Sequence, residues 1–252
     1  MAQSLEDTGT RNGRIKKPLL TEGRPTSPPP PRWPWYRSPW VIAVAALVVF
    51  NLIYALPRYL PLDPDQARVP IDPNSPEQFP MIIAHLLTGN IAMVAAFLQL
   101  LPWLRKAHPN VHRASGYFYV FGGVLPSAGL GLALLPYHVI PSGQVGLGMM
   151  AVLWILVTLQ GFRMQRQGRY AEHRRWMIFS FALTLGTSWA RVLAYAMMWI
   201  PGFTMSLPVF LEITSWLGWV TNLILAFLWL DWTSRRAAAR QGLPATVPSH
   251  AG

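Results

Sequence analysis

Six long apolar stretches constrain the fold of this chain more than any other feature. They cover about 40–60, 81–103, 114–136, 144–163, 175–200 and 208–232. A helix rises about 1.5 Å per residue, so roughly 20 residues cross a hydrocarbon core of about 30 Å. The runs are continuous rather than alternating, which favours helices over the strands of a membrane barrel. The sequence therefore predicts an all-α, polytopic membrane helix bundle with six transmembrane helices.

The composition agrees with a membrane protein. The chain is 52% hydrophobic and only 12% charged, whereas about a quarter of the residues in a soluble domain are charged. The formal net charge is +11, but most basic residues fall in short loops or tails beside the apolar stretches. Membrane topology explains that charge better than a phosphate backbone does, so we expect no nucleic-acid partner. The absence of cysteine excludes disulfides, thiolate metal sites and cysteine nucleophiles.

The composition also predicts three segments. Residues 1–38 hold seven of the 21 Lys and Arg residues and a proline-rich run, so this part cannot bury enough surface to fold alone. We expect it to be a disordered basic cytoplasmic tail without a secretory signal. The transmembrane domain is expected over 39–234, and a second disordered cytoplasmic tail over 235–252.

The loops between the stretches differ sharply in charge. Eighteen of the 21 Lys and Arg residues share one side of a six-span bundle. In the loops and the C-terminal end these are Arg105, Lys106, Arg113, Arg163, Arg166, Arg169, Arg174, Arg175, Arg235, Arg236 and Arg240. The positive-inside rule then places both termini in the cytoplasm. We predict a multi-pass protein of the cytoplasmic (inner) membrane whose basic side contacts anionic lipid headgroups.

Polar residues recur at helical spacing inside three of the stretches. They are His85, Thr88 and Gln99 in the second, Thr184, Thr187, Ser188, Arg191 and Tyr195 in the fifth, and Glu212, Ser215 and Asn222 in the sixth. Such residues are costly in lipid and normally face a partner or a cavity. These three helices are therefore expected to turn one face toward the bundle interior.

Helical counting places several of these residues at a similar depth. Arg191 lies roughly 22 Å beyond the inner boundary, and His85 and Glu212 lie roughly 6 Å below their outer boundaries. We predict an outer cluster of His85, Arg191, Glu212, Ser188 and Tyr195 that binds a small molecule, a quinone or a lipid. In it, Arg191 is expected to meet Glu212 or a bound anion. The alternative is a structural ion pair, with His85 in a helix–helix hydrogen bond.

The two basic hairpins carry a repeated signature. Gln99 precedes His112-Arg113 by thirteen residues, and Gln160 precedes His173-Arg174 by thirteen residues, which indicates an internal hairpin repeat. Each histidine lies at the predicted N-terminus of a helix, where the positive end of the helix dipole disfavours a charged imidazole. A neutral histidine there could ligate a metal or hydrogen-bond an anion. The alternative is that the His-Arg pairs contact lipid headgroups, while each glutamine caps an inter-helix contact.

These motifs carry a resemblance to a known family. The chain resembles a bacterial multi-pass family known as a predicted membrane protein domain of unknown function. The resemblance lies in the pattern His85-x3-Gly89, Gln99, His112-Arg113-x2-Gly116-x2-Tyr119 and His173-Arg174-Arg175-Trp176-Met177. The resemblance covers roughly 80–200 and implies no activity.

The histidines are also distantly similar to those of transmembrane b-type cytochromes, which bind haem between helices through histidine pairs. This similarity implies haem b between His112 and His173, with Arg113 and Arg174 near its propionates. Gly116 and Gly186 would make room for the ring. On the outer side His85 could pair only with His138 in a loop, so one haem fits the pattern better than two.

Three classes of function remain open from the sequence. These are ligand binding in an intramembrane site, haem-dependent electron transfer, and a structural or assembly role without catalysis. A transporter site is often marked by a broken helix, and the one candidate break is Gly122-Gly123 with Pro126. Phosphate-loop, dinucleotide-binding, zinc-protease and nucleophile-elbow motifs are missing, so catalysis of the kind found in soluble enzymes has no support. The sequence gives no oligomeric state.

Overall fold

The computed structural model describes residues 38–67, 69–138 and 140–240, and both predicted tails lie outside these residues, apart from Ser38 and 235–240. The described chain is helical and contains no strand. Its α-helices are α1 (Pro39–Ala55), α2 (Gln78–Leu100), α3 (Pro102–Ala107), α4 (Pro109–Tyr117), α5 (Leu125–Leu134), α6 (Gln144–Arg166), α7 (Tyr170–Thr184), α8 (Ser188–Trp199) and α9 (Leu207–Arg240). Single 3₁₀ turns cover Pro57–Tyr59, Pro64–Gln66 and Leu135–Tyr137.

Six helical spans within the described residues are long and apolar enough to cross a membrane. They are Pro39–Tyr59, Gln78–Leu100, Pro109–Tyr137, Gln144–Arg166, Tyr170–Trp199 and Leu207–Arg240. The predicted fold class is therefore confirmed. Because successive spans run in opposite directions, the loops 60–77, 138–143 and 200–206 share one face, which we call the acidic face. The loops 101–108 and 167–169 lie at the opposite, basic face.

The third span is continuous but changes its helix type. A π-helical segment, Phe118–Val124, joins α4 to α5 and packs against α2. A Cβ added at Gly123 would lie 2.7 Å from the Ala92 Cα, so the two backbones touch at this point. Small residues permit such close approaches between helices in lipid. The predicted break at Gly122-Gly123 is thus a π-helical stretch at a helix–helix contact.

The fifth span is interrupted where the sequence shows one apolar run. α7 ends at Thr184 and α8 begins at Ser188, with Leu185, Gly186 and Thr187 forming a turn between them. A Cβ added at Gly218 of α9 would lie 1.9 Å from the Gly186 carbonyl oxygen. Only glycine leaves room for that contact, so α9 packs directly over the interruption.

The last helix continues past the predicted boundary at 234. It reaches Arg240 and therefore runs six residues into the segment predicted to be a disordered tail. Arg235 forms a salt bridge of 2.8 Å with Asp231, and the Arg236 guanidinium lies 3.8 Å from the Trp232 ring centroid. Contacts between residues one helical turn apart support a helix beyond its apolar part.

The contact between α2 and the third span gives a direct test of the packing. We expect Gly123→Ala to lower the free energy of unfolding by about 1–3 kcal/mol, because its methyl group would overlap the Ala92 backbone. Gly129→Ala is the matched control, since a Cβ there meets no atom within 4 Å. Thermal unfolding in detergent measures both variants. Equal melting temperatures for the two would contradict this packing.

Candidate functional site

The five residues predicted as the outer cluster fall into three groups in the structure. His85 belongs to the contact between α2 and α5. Its Nδ1 atom lies 2.8 Å from the Ser127 carbonyl oxygen, and its ring packs against Gly131. A carbonyl only accepts, so Nδ1 carries the proton and Nε2 presents the lone pair.

The α8 residues of the cluster gather against α1. Asn51 is fully buried in α1, where its Oδ1 accepts a hydrogen bond from Arg191. Its Nδ2 donates to Ser188 Oγ at 3.0 Å and to the Leu47 carbonyl at 2.7 Å. The Arg191 guanidinium also lies 5.4 Å from the centre of the Tyr54 ring. A neutral amide and an aromatic face therefore hold this intramembrane charge.

Tyr195 lies beside Arg191, whereas Glu212 lies at the start of α6. The Tyr195 ring lies 5.8 Å from the Tyr54 ring, which places it beside Arg191. Glu212 accepts hydrogen bonds from the Gly143 N–H at 2.7 Å and from Trp216 Nε1 at 3.0 Å. Its carboxylate thus sits at the N-terminus of α6, where free N–H groups favour an anion. Arg191 and Glu212 have different partners.

Asn51 is the residue that sequence reasoning missed in this region. The sequence contained a signal, because Asn51 is the single amide side chain in α1. A buried amide in lipid requires partners, and here it links α1 to α8 through Arg191 and Ser188.

The two inner hairpins share a spacing but differ in their contacts. In the first, Gln99 Nε2 donates to the His112 carbonyl at 2.5 Å and to Ser115 Oγ at 2.7 Å. In the second, His173 Nδ1 lies 2.8 Å from the Gly161 carbonyl, so the histidine side chain makes the cross-hairpin bond. Gln160 is half-buried beside that carbonyl. The repeat in sequence therefore corresponds to two different ways of joining a helix pair.

The two inner histidines differ in their hydrogen bonding. His112 Nδ1 is buried without a hydrogen-bond partner among the described residues. Arg113 is exposed, and the Arg174 guanidinium lies 5.7 Å from the Trp229 ring centroid.

Both glycines expected to make room for a haem pack against neighbouring residues. The space in front of Gly116 is occupied by the Gln99 side chain, 3.5 Å from an added Cβ. Gly186 lies in the interruption of the fifth span, where its carbonyl oxygen packs against Gly218 of α9. The part of the chain that the structure describes holds no group of three or more His, Asp or Glu placed to bind a metal ion.

A buried hydroxyl cluster lies at the centre of the bundle. The Tyr119 hydroxyl is 2.6 Å from Ser180 Oγ and 2.9 Å from Thr184 Oγ1, and Thr158 Oγ1 is 2.6 Å from Ser180 Oγ. Thr184 also donates to the Ser180 carbonyl, so it accepts from Tyr119. This chain of hydrogen bonds links the third, fourth and fifth spans on the side of the interruption that faces the basic loops.

A groove on the side of the bundle lies beside the same interruption, and we call it the lateral groove. It has a volume of about 500 Å³ and is lined by Leu47, Ala182, Leu185, Ser188, Trp189, Val192, Asn222 and Leu225. Asn222 bridges its walls, because its Nδ2 donates to the Ala182 carbonyl and its Oδ1 accepts from Trp189 Nε1, each at 3.0 Å.

Comparison with known proteins identifies the family. Residues 82–230, more than half of the chain, match the family described as Predicted membrane protein (DUF2306). The chain belongs to this family. The DUF2306 region runs from α2 into α9, so it contains the whole lateral groove except Leu47. Asn51 and the rest of α1 lie outside it. Neither the curated proteins nor the solved structures contain a match.

The link between α1 and α8 can be tested by removing the Asn51 amide. We expect Asn51→Leu to lower the free energy of unfolding by about 1.5–3 kcal/mol, the usual contribution of a hydrogen bond to a charged group. Asn90→Leu is the matched control, because Asn90 makes the same bond to the carbonyl four residues earlier. Thermal unfolding in detergent compares them. If Asn90→Leu destabilises the protein as much as Asn51→Leu, the amide does not hold Arg191.

Proposed function

We propose that this protein binds a lipid-soluble molecule with a carbonyl-bearing headgroup, a quinone or a lipid, in the lateral groove. The observation that supports this most is the groove itself. Its volume of about 500 Å³ lies within the usual range of ligand sites, about 300–1,000 Å³. Its walls are mostly apolar, and Val192 and Leu225 at its edge are about half exposed, on surfaces suited to lipid.

Two polar side chains in the groove can hold a carbonyl oxygen. Ser188 Oγ accepts a hydrogen bond from Asn51, which leaves its own O–H as a donor. Asn222 Nδ2 carries two hydrogens, and one of them is used by the Ala182 carbonyl. A ligand headgroup at the interruption would therefore accept up to two hydrogen bonds, while its apolar tail follows the groove into the lipid.

The proposed site is narrower than the cluster expected from the sequence. Ser188 lines the groove, and Arg191 and Tyr195 lie one and two turns further along α8, against α1. His85 and Glu212 make their contacts at other helix pairs. Arg191 is thus proposed to fix Asn51, and through it Ser188, rather than to contact the ligand.

A b-type haem between His112 and His173 is the second candidate function. The observation that favours it is the hydrogen bond from His173 Nδ1 to the Gly161 carbonyl, which turns the Nε2 lone pair away from the backbone. Metal-ligating histidines usually have such a partner on the other ring nitrogen. When bound, haem would supply one-electron transfer. Arg113 and Arg174 at the basic face would neutralise its propionates.

The membrane setting of this proposal follows from the charge pattern. The basic face is proposed to lie in the cytoplasm, with both termini, and to contact anionic headgroups of the inner membrane.

The groove is tested by filling it. We expect Leu225→Trp to reduce bound quinone or lipid at least tenfold, because the larger ring occupies the groove. Leu228→Trp is the matched control, since both leucines lie on α9 and are 54% exposed, but Leu228 does not line the groove. Nanodiscs of synthetic phosphatidylcholine are loaded with decyl-ubiquinone, and the ligand retained by the repurified protein is measured by mass spectrometry.

Three outcomes separate the alternatives. Quinone retained by the wild type and lost only in Leu225→Trp supports a quinone site. Retention of cellular lipid instead, with the same dependence on Leu225, identifies a lipid site. Equal retention by Leu225→Trp and Leu228→Trp would contradict binding in the groove.

The haem candidate has its own spectroscopic test. Protein purified after expression with haem supplementation should show a Soret band that sharpens on dithionite reduction and is lost in both His112→Ala and His173→Ala. His108→Ala is the matched control, because His108 lies at the same face and makes an edge-to-face contact with Trp103. A colourless wild-type protein, or a band that survives both substitutions, would rule out this haem.

A further inference from the structure

A second cavity lies on the other side of the interrupted fifth span, toward the acidic face. We call it the outer pocket. Its volume is about 190 Å³, and its polar lining residues are His138, Ser142, Thr187, Thr214 and Ser215. Gly186, Thr187 and Ala190 supply one wall, and the first turns of α6 and α9 supply the others. The lateral groove is lined by other residues of the same turn, so the two cavities share no lining residue.

The hydrogen bonds around the outer pocket leave three of its polar side chains as acceptors. Thr214 Oγ1 donates its proton to the Phe210 carbonyl at 2.8 Å, and Ser215 Oγ donates to the Glu212 carbonyl at 2.8 Å. Each hydroxyl has one proton, so both oxygens offer only lone pairs to a guest. His138 Nδ1 lies 3.2 Å from the Leu134 and Leu135 carbonyls, which leaves Nε2 as an acceptor.

The charge around the pocket favours a cation. The polar lining contains no Lys or Arg. The Glu212 carboxylate accepts the N–H of Gly143, the residue after the lining residue Ser142, so it already occupies the N-terminus of α6, which would otherwise attract an anion.

The acidic face carries further carboxylates. Hydrogen bonds from Asn74 lower the pKa of Asp72, and the hydrogen bond from Tyr137 lowers the pKa of Glu77. Both groups therefore stay ionised at neutral pH. Fields of one sign raise the local concentration of counter-ions at a protein surface.

We infer that the outer pocket binds a small protonated amine, which donates hydrogen bonds to His138 Nε2, Thr214 Oγ1 and Ser215 Oγ. An ammonium group has three or more donors and no acceptor, which matches the lone pairs of His138, Thr214 and Ser215. The Ser142 and Thr187 hydroxyls can rotate to present lone pairs as well. The volume of about 190 Å³ equals roughly six water molecules at about 30 Å³ each, so an amine with a short alkyl group fits. The inference does not depend on the proposed function, because the groove and the pocket have different linings.

Radiolabelled methylammonium tests the inference on the full-length protein in phosphatidylcholine nanodiscs. We expect saturable binding to the wild type, binding at least tenfold weaker in Thr214→Val, and near wild-type binding in Thr214→Ser, which keeps the acceptor oxygen. Thr233→Val is the matched control, because Thr233 makes a similar bond to an earlier carbonyl on α9 but lies outside the pocket. His138→Phe should weaken binding as well.

Three other results would contradict an amine site in the outer pocket. Absence of saturable binding to the wild type would overturn the inference, as would equal binding by Thr214→Val and Thr233→Val. If methanol displaced the radiolabel at the same concentration as unlabelled methylammonium does, the pocket would bind a neutral donor and not a cation. Failure of the quinone experiment leaves this result unaffected, because Leu225 does not line the outer pocket.

Discussion

Every backbone N–H and C=O inside a membrane needs a partner, and the interrupted fifth span shows how this protein meets that demand. Leu185, Gly186 and Ser188 each donate a backbone N–H to a carbonyl within the preceding four residues, so the chain turns while most of its donors keep partners. The contact between Gly186 and Gly218 then seals the turn against α9. A Cβ at either position would push the two elements apart.

The interruption divides the bundle into regions with different chemistry. Toward the lipid, Ser188 and Asn222 place hydrogen-bond donors in a largely apolar groove. Toward the acidic face, Thr187 and Thr214 line the outer pocket. Just below it, the hydroxyl cluster of Tyr119, Ser180 and Thr184 fixes the end of α7. One turn of non-helical backbone thus contributes side chains to both cavities.

The sequence predicted the parts of the fold that depend on local hydropathy. Six apolar runs of sufficient length specify six spans, because the membrane imposes one length on all of them. The interruption after Thr184 escaped this reasoning, since Leu185, Gly186 and Thr187 do not break the apolar run. Hydropathy measures transfer into lipid and carries no information on where a helix turns. The close contact with Gly218, which requires Gly186, becomes visible only when both helices are in place.

The candidate site was predictable in its residue types but only partly in its partners. Arg191 was expected to need a partner, and it has one in Asn51, 140 residues earlier. Glu212 was the other charged candidate, but the Gly143 N–H satisfies it at the start of α6. Which polar groups meet depends on how the helices pack side by side, and helical spacing within one span does not determine that.

Site-directed spin labelling tests the interrupted span most directly, because the chain contains no cysteine to be removed first. Nitroxides attached at Thr187→Cys and Val192→Cys report collisions with a water-soluble nickel chelate and with oxygen dissolved in lipid. We predict that the chelate dominates at position 187, in the outer pocket, and that oxygen dominates at position 192, at the edge of the lateral groove. Oxygen dominating at both positions would mean an unbroken, lipid-buried helix and would contradict the interruption of the fifth span.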